Sequence, residues 1–158
     1  MREKIKYIEI LSKLQRYCKY QERCEYDLEK KLNSLKVIGK MKESIIHELY
    51  ENKYFDNKRF ADEYVIGKFR NNKWGKIKIR YNLKSKSIDK KIVDESLNKI
   101  SQEEYISVFC KIAKREWIKR LKLDSKSRTR RFYNTLQSKG WEYDLIKDFL
   151  SGMKKNKI

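Results

Sequence analysis

Five arginines, Arg115, Arg120, Arg128, Arg130 and Arg131, fall within 17 residues of a chain that contains only eleven. A guanidinium is a permanent cation with a planar fork of donors, and its natural counterpart is a pair of phosphate or carboxylate oxygens. Lys114 joins this group, and a second lies upstream, where Arg70, Lys73, Lys76, Lys78, Arg80, Lys84 and Lys86 surround Trp74. On a helix Lys76, Arg80 and Lys84 stand at i, i+4 and i+8, a cationic stripe able to follow a phosphate backbone. Trp74 has a ring that can stack on an unpaired base. Its position before Gly75, Ile77, Ile79 and Leu83 also suits a hydrophobic staple at a helix start, the reading we favour.

The charge is unevenly spread. The chain carries 41 Lys and Arg against 22 Asp and Glu, a net of +19. Residues 1–69 hold 16 basic and 12 acidic side chains, net +4, and residues 70–158 hold 25 and 10, net +15. A lysine-rich composition, 30 of the 41 cations, accounts for part of the total but not for the arginine cluster. A field of this size favours polyanions and steers them at salt-dependent rates.

Other chemistries find little support. No Gly-x-x-x-x-Gly-Lys-Ser/Thr loop is present to cradle nucleotide phosphates, so any ATP dependence would belong to a partner. His47 is the single histidine, expected mid-helix and half-buried between Ile46 and Leu49, which leaves nucleophilic triads without a base. Cys18, Cys24 and Cys110 are odd in number and too widely spaced for a zinc knuckle, so neither a disulfide framework nor a metal or cofactor is expected. Acid-x-Lys triplets of nuclease type occur at Asp56-Asn57-Lys58, Asp89-Lys90-Lys91 and Glu29-Lys30-Lys31, at a frequency that 30 lysines explain by chance. A helical nuclease using Asp89, Asp94 and Glu95 ranks far behind a binding role, because the chain becomes acid-poor where it becomes basic.

The elements that must position the cations are helices. The chain has no proline and five glycines, and one apolar spacing of four, five, four occurs three times: Leu28, Leu32, Val37, Met41; then Ile79, Leu83, Ile88, Ile92; then Phe132, Leu136, Trp141, Leu145. Intervals of four keep two side chains on one helical face, and the five marks a short turn into a second helix. The units recur after 51 and 53 residues, which leaves room for a third helix in each. The expectation is an all-α, elongated array of three tandem three-helix modules, 1–55, 56–100 and 101–152, followed by a basic tail over 153–158 that frays.

Predicted helices start near Ile5, Glu25 and Lys40. Asp56 is expected as the N-cap of a helix bearing Phe60, Ala61, Tyr64, Val65 and Phe69, and Asp89, Ser101 and Asp124 open later helices. The first helix is expected to pack through Ile8, Leu11, Leu14 and Tyr17. No run approaches the roughly 18 apolar residues of a spanning helix, and no signal-peptide core opens the chain, so a soluble, cytoplasmic monomer is expected.

The run Asp56-Asn57-Lys58-Arg59-Phe60-Ala61-Asp62-Glu63-Tyr64 resembles the Asp-x-x-Arg-Phe-Ala-x-x-Tyr signature of the RecX family of bacterial recombinase regulators. Glu25 to Leu32 is similar to that family's first-module helix and Trp74 to Leu83 to its second, with weaker similarity through Leu150. A glycine often precedes the turn's apolar residue in this family; Gly140 keeps it, whereas Lys36 and Ser87 replace it, a departure that bears on turn geometry.

The resemblance implies three tandem three-helix modules and a non-enzymatic protein of DNA repair and recombination. It implies binding to the RecA–single-stranded DNA filament, in the helical groove, with inhibition of RecA ATPase and strand exchange. From the charge clusters, not from the resemblance, the contact residues are expected among Arg70, Lys73, Trp74, Lys76, Lys78, Arg80, Lys84, Lys114, Arg115, Arg120, Arg128, Arg130 and Arg131, while Tyr54, Phe60 and Tyr64 pack. The alternative is a stand-alone binder of single-stranded DNA or structured RNA through the same cations.

Overall fold

A computed structural model describes residues 2–155, and every element among them is helical. In chain order these are α1 (Arg2–Tyr20), α2 (Glu25–Ser34), α3 (Gly39–Glu51), α4 (Asn57–Arg70), α5 (Lys76–Ser85), α6 (Lys90–Leu97), α7 (Gln102–Ile118), α8 (Ser125–Ser138) and α9 (Tyr143–Lys155). Helices pack most closely in threes: α1 to α3, α4 to α6, and α7 to α9. Asp56, Asp89, Ser101 and Asp124 are N-caps, each side chain accepting a backbone N–H from the first turn. Residues 156–158 of the expected tail, Lys157 among them, lie outside the described residues.

The interval of five has a definite physical origin. After α2, Val37 N–H reaches Leu32 O at 3.0 Å and Lys36 N–H reaches Asn33 O at 3.0 Å. After α5, Ile88 bonds to Leu83 O at 3.2 Å and Ser87 to Lys84 O at 2.9 Å; after α8, Trp141 bonds to Leu136 O at 3.2 Å and Gly140 to Gln137 O at 2.8 Å. These are three Schellman caps, and the repeated apolar pair five apart is the hydrophobic contact that accompanies such a cap. All six of those apolar residues are buried.

Each cap needs a left-handed residue, and φ is +55° at Lys36, +58° at Ser87 and +82° at Gly140. The turn geometry is therefore the same in all three modules, with Lys36 and Ser87 carrying a steric cost that glycine avoids. Lys36→Gly and Ser87→Gly are each expected to raise stability by about 1 kcal/mol, read as a higher urea midpoint at unchanged slope.

Among the described residues, nine helices enclose two cores rather than three. Ile10, Leu14, Cys18, Leu28, Leu32, Val37, Ile45, Leu49 and Phe55 form the first, within α1 to α3 and the following loop. Modules two and three share the second, which runs from Phe60 through Phe109 to Ile146 and takes in only Cys24 from the first module. In α1 the buried face is Ile10, Leu14 and Cys18 at i, i+4, i+8; of the expected positions Leu14 is buried, Leu11 and Tyr17 are half-buried against the same core, and Ile8 alone is turned out, 56% exposed. His47 also corrects an expectation, since it faces solvent two residues from both Ile45 and Leu49.

The signature run builds the α4 end of the second module. Asp56 caps α4, the Arg59 guanidinium donates to Glu22 Oε1 at 2.6 Å, and Phe60 and Ala61 are buried. Asp62 accepts from Lys58 at 2.6 Å, from the buried Ser96 hydroxyl at 2.7 Å and from Lys99 at 2.7 Å, fixing α4 to α6 and the turn after it. Burial pushes this carboxyl up, but its three donors outweigh that and hold it at about 2, below the ordinary 3.8. A depressed pKa contributes stability above the unfolded value that is lost as pH falls through the folded one. Asp62→Asn should cost about 2 kcal/mol at neutral pH, and the difference from the parent should close between about pH 4 and pH 2.

Candidate nucleic-acid interface

The entry to α5 is held by its neighbour. The first backbone N–H groups of a helix have no partner within it, and here module three supplies acceptors for three of them. Gly75 N–H donates to Lys139 O at 2.9 Å, Lys76 N–H to the Tyr105 hydroxyl at 2.9 Å, and Ile77 N–H to Gly140 O at 3.2 Å. The Tyr105 hydroxyl in turn donates to Glu142 Oε2 at 2.7 Å, and burial together with that carboxylate pushes its pKa far up. Around it Phe69, Tyr105, Phe109 and Trp141 pack with ring centroids 4.8 to 6.4 Å apart. The backbones approach so closely that a Cβ on Gly75 would lie 2.1 Å from Gly140 O, and one on Gly140 would lie 2.3 Å from Lys78 Cβ.

The junction between modules one and two sits at the same place in the repeat and is built differently. Cys24 stands 51 residues before Gly75 and is likewise an N-cap. Its side chain, where Gly75 has none, is buried, and burial raises the thiol to about 11. Polar contacts join these modules: Lys86 with Asp27, Arg59 with Glu22, and Glu25 N–H with Asn57 Oδ1 at 3.1 Å. Cys18, Cys24 and Cys110 are all free thiols.

Against this frame the cations divide into two sets. Several are engaged by other groups of the protein, Arg70 and Arg80 while still exposed. Arg120 donates to Glu116 Oε2 at 2.7 Å, to Glu116 O at 2.6 Å and to Thr135 Oγ1 at 2.9 Å, fastening α7 to α8. Burial opposes the charge of Glu116, but Arg120 and Lys119 outweigh it and hold the carboxyl below the usual range. The Arg128 guanidinium lies 5.2 Å over the Trp117 ring. Lys78 donates to Ser138 O at 3.0 Å and sits 4.5 Å over Trp74, and Lys76 sits 4.7 Å over Tyr105. Arg80 pairs with Asp94, and Arg70 with Glu104 at 3.0 Å. The stripe of Lys76, Arg80 and Lys84 thus presents two engaged cations and one, Lys84, fully outward.

Lys84, Lys114, Arg115, Arg130 and Arg131 are exposed, with Arg115 3.7 Å from Glu116; Lys73 is half-exposed, in the left-handed region. Trp74 is half-buried against the shared core, with Lys68 and Lys78 over its ring. An aromatic side chain that sequence reasoning passed over stands out instead: Tyr81 is 72% exposed and Ile77, one turn earlier, 54%. The signal was present in the spacing, because 77 and 81 lie off the buried 79 and 83 register by two residues. Among the described residues no three His, Cys, Asp or Glu converge as a metal site, and no helix is long and apolar enough to cross a membrane.

Comparison with known proteins agrees with this architecture. Residues 56–97 match the family model described as RecX, second three-helix domain. The regulatory protein RecX of Clostridium tetani is 32% identical over 134 residues, 82% of this chain and 59% of that protein. Its namesake from Clostridium acetobutylicum is 31% identical over 130 residues, 80% of this chain and 60% of that one. The chain therefore spans about three fifths of the length of these relatives. A crystal structure of regulatory protein RecX superposes with a TM-score of 0.78 at 24% identity, covering 90% of this chain and 71% of the other, and so shares the fold. Matched in its second module, aligned with these RecX proteins along four fifths of its own length and folded as tandem three-helix modules, the chain is similar to the RecX family in sequence and in fold.

Proposed function

We propose that this protein binds the RecA recombinase filament assembled on single-stranded DNA and slows its ATPase and strand exchange without doing chemistry of its own. The relatives carry the name of a regulatory protein, not of an enzyme. The observation that carries the reading is the outward set Lys84, Lys114, Arg115, Arg130 and Arg131 on modules two and three, which share one core. A platform held by a common core keeps cations at fixed spacing, and fixed spacing is what a helical filament with a regular phosphate repeat can select. The paired residues Arg70, Arg80, Arg120 and Arg128 support that platform, and the modules as delimited above, 1–55, 56–100 and 101–152, are its working units.

The test is co-sedimentation. Filaments formed with a non-hydrolysable nucleotide should carry the protein into the pellet at near-physiological salt, more than an equal mass of bare strand does. Equal pelleting with both would favour the alternative of a stand-alone nucleic-acid binder.

A further inference from the structure

Helix α5 contains no acidic residue, and its outward face presents Ile77, Tyr81 and Lys84 at i, i+4 and i+7. The Tyr81 ring is 72% exposed, and among the described residues it makes no aromatic or cation–π contact. An exposed apolar ring beside unpaired lysine, on a helix anchored at its start by three backbone hydrogen bonds, is a rigid stacking surface with a cation at hand for the adjoining phosphate. We infer that Tyr81, flanked by Ile77 and Lys84, is a nucleobase-stacking site for single-stranded nucleic acid, an inference that rests on the DNA-filament reading above.

Four comparisons favour Tyr81 over the other aromatic side chains and over a protein partner. Trp74, the ring closest to the cations in sequence, already lies under Lys78 and against the core. Tyr20 and Tyr50 are exposed but belong to the module where charge is nearly balanced, and Tyr143 is engaged edge-on by Tyr133. The corresponding repeat positions 51 residues before and 53 after are Lys30 and Asn134, so only module two offers a ring there. The acid-free helix and the +15 field of residues 70–158 suit a polyanion better than a protein surface of mixed charge.

The experiment measures binding of a fluorescent oligothymidylate over a range of salt, with the filament ATPase followed in parallel. Tyr81→Ala should weaken oligonucleotide binding roughly 5- to 150-fold, the equivalent of 1–3 kcal/mol per stacked base, with the salt slope unchanged. Tyr81→Phe, which keeps the ring, should stay within about twofold of the parent, and Lys84→Gln should instead lower the slope by about 0.7. Oligonucleotide binding by Tyr81→Ala equal to the parent, or no binding by the parent, would overturn the stacking site. The regulator reading fails separately, if the parent leaves the filament ATPase unchanged.

Discussion

Gly75→Ala should unfold modules two and three at a urea midpoint about 1–2 M below the parent, a loss of about 3 kcal/mol or more. The added Cβ would sit 2.1 Å from Gly140 O, 2.4 Å from Gly140 C and 2.7 Å from Trp141 N, all of them backbone atoms that no rotamer change can move. Relief requires the two chain segments to separate, and separation breaks the hydrogen bonds from Gly75 and Ile77 to Lys139 and Gly140. The experiment has an internal reporter, because all three tryptophans, Trp74, Trp117 and Trp141, lie in the last two modules. It also has a control of identical chemistry: Gly67 lies within α4 with nothing within 4 Å of the added Cβ, so Gly67→Ala should stabilise by about 0.5–1 kcal/mol. If Gly75→Ala and Gly67→Ala moved the midpoint in the same direction, the glycine-to-glycine junction would not be what holds these modules together.

The second large effect concerns recognition. Replacing Lys84, Arg130 and Arg131 together with Glu should weaken filament binding roughly 150-fold, if each of the three contributes about 1 kcal/mol through a phosphate contact. All three side chains are exposed and take no part in the ion pairs of the described residues, so helicity and the unfolding midpoint should hold. A matched reversal of Arg120 would not be informative, because it would leave Glu116 without its closest cation and loosen α7 from α8. Undiminished inhibition by the triple variant would remove these side chains from the interface.

Much of this fold was legible before any coordinates. Four N-caps are where short acceptor side chains were expected to open helices, and the four-five-four spacing is the linear trace of a helix, a Schellman cap and a second helix. What the residue string did not disclose is which neighbours meet in space. The continuous core of modules two and three depends on Trp141 filling a turn position where the other repeats place Val37 and Ile88, and no local pattern announces that.

The candidate site was readable in type but not in direction. Arg120 looked like a phosphate fork, yet Glu116 four residues earlier and Thr135 on α8 take its donors. Arg80 looked like part of a stripe, and Asp94 on α6 takes it. Lys36 and Ser87 suggested altered turns, whereas the backbone adopts the left-handed conformation without glycine because the flanking apolar pairs are buried. Tyr81 was available from helical phase alone, two residues off the buried 79 and 83.

The most direct measurement is ATP hydrolysis by preformed recombinase filaments on single-stranded DNA, at near-physiological salt, with this protein added well below the recombinase concentration. A protein that seats on the filament and regulates it should lower the rate at substoichiometric amounts, and the Lys84, Arg130 and Arg131 charge-reversed variant should lower it far less. An unchanged rate at protein concentrations that saturate single-stranded DNA would contradict the regulator reading and leave a general nucleic-acid binder in its place.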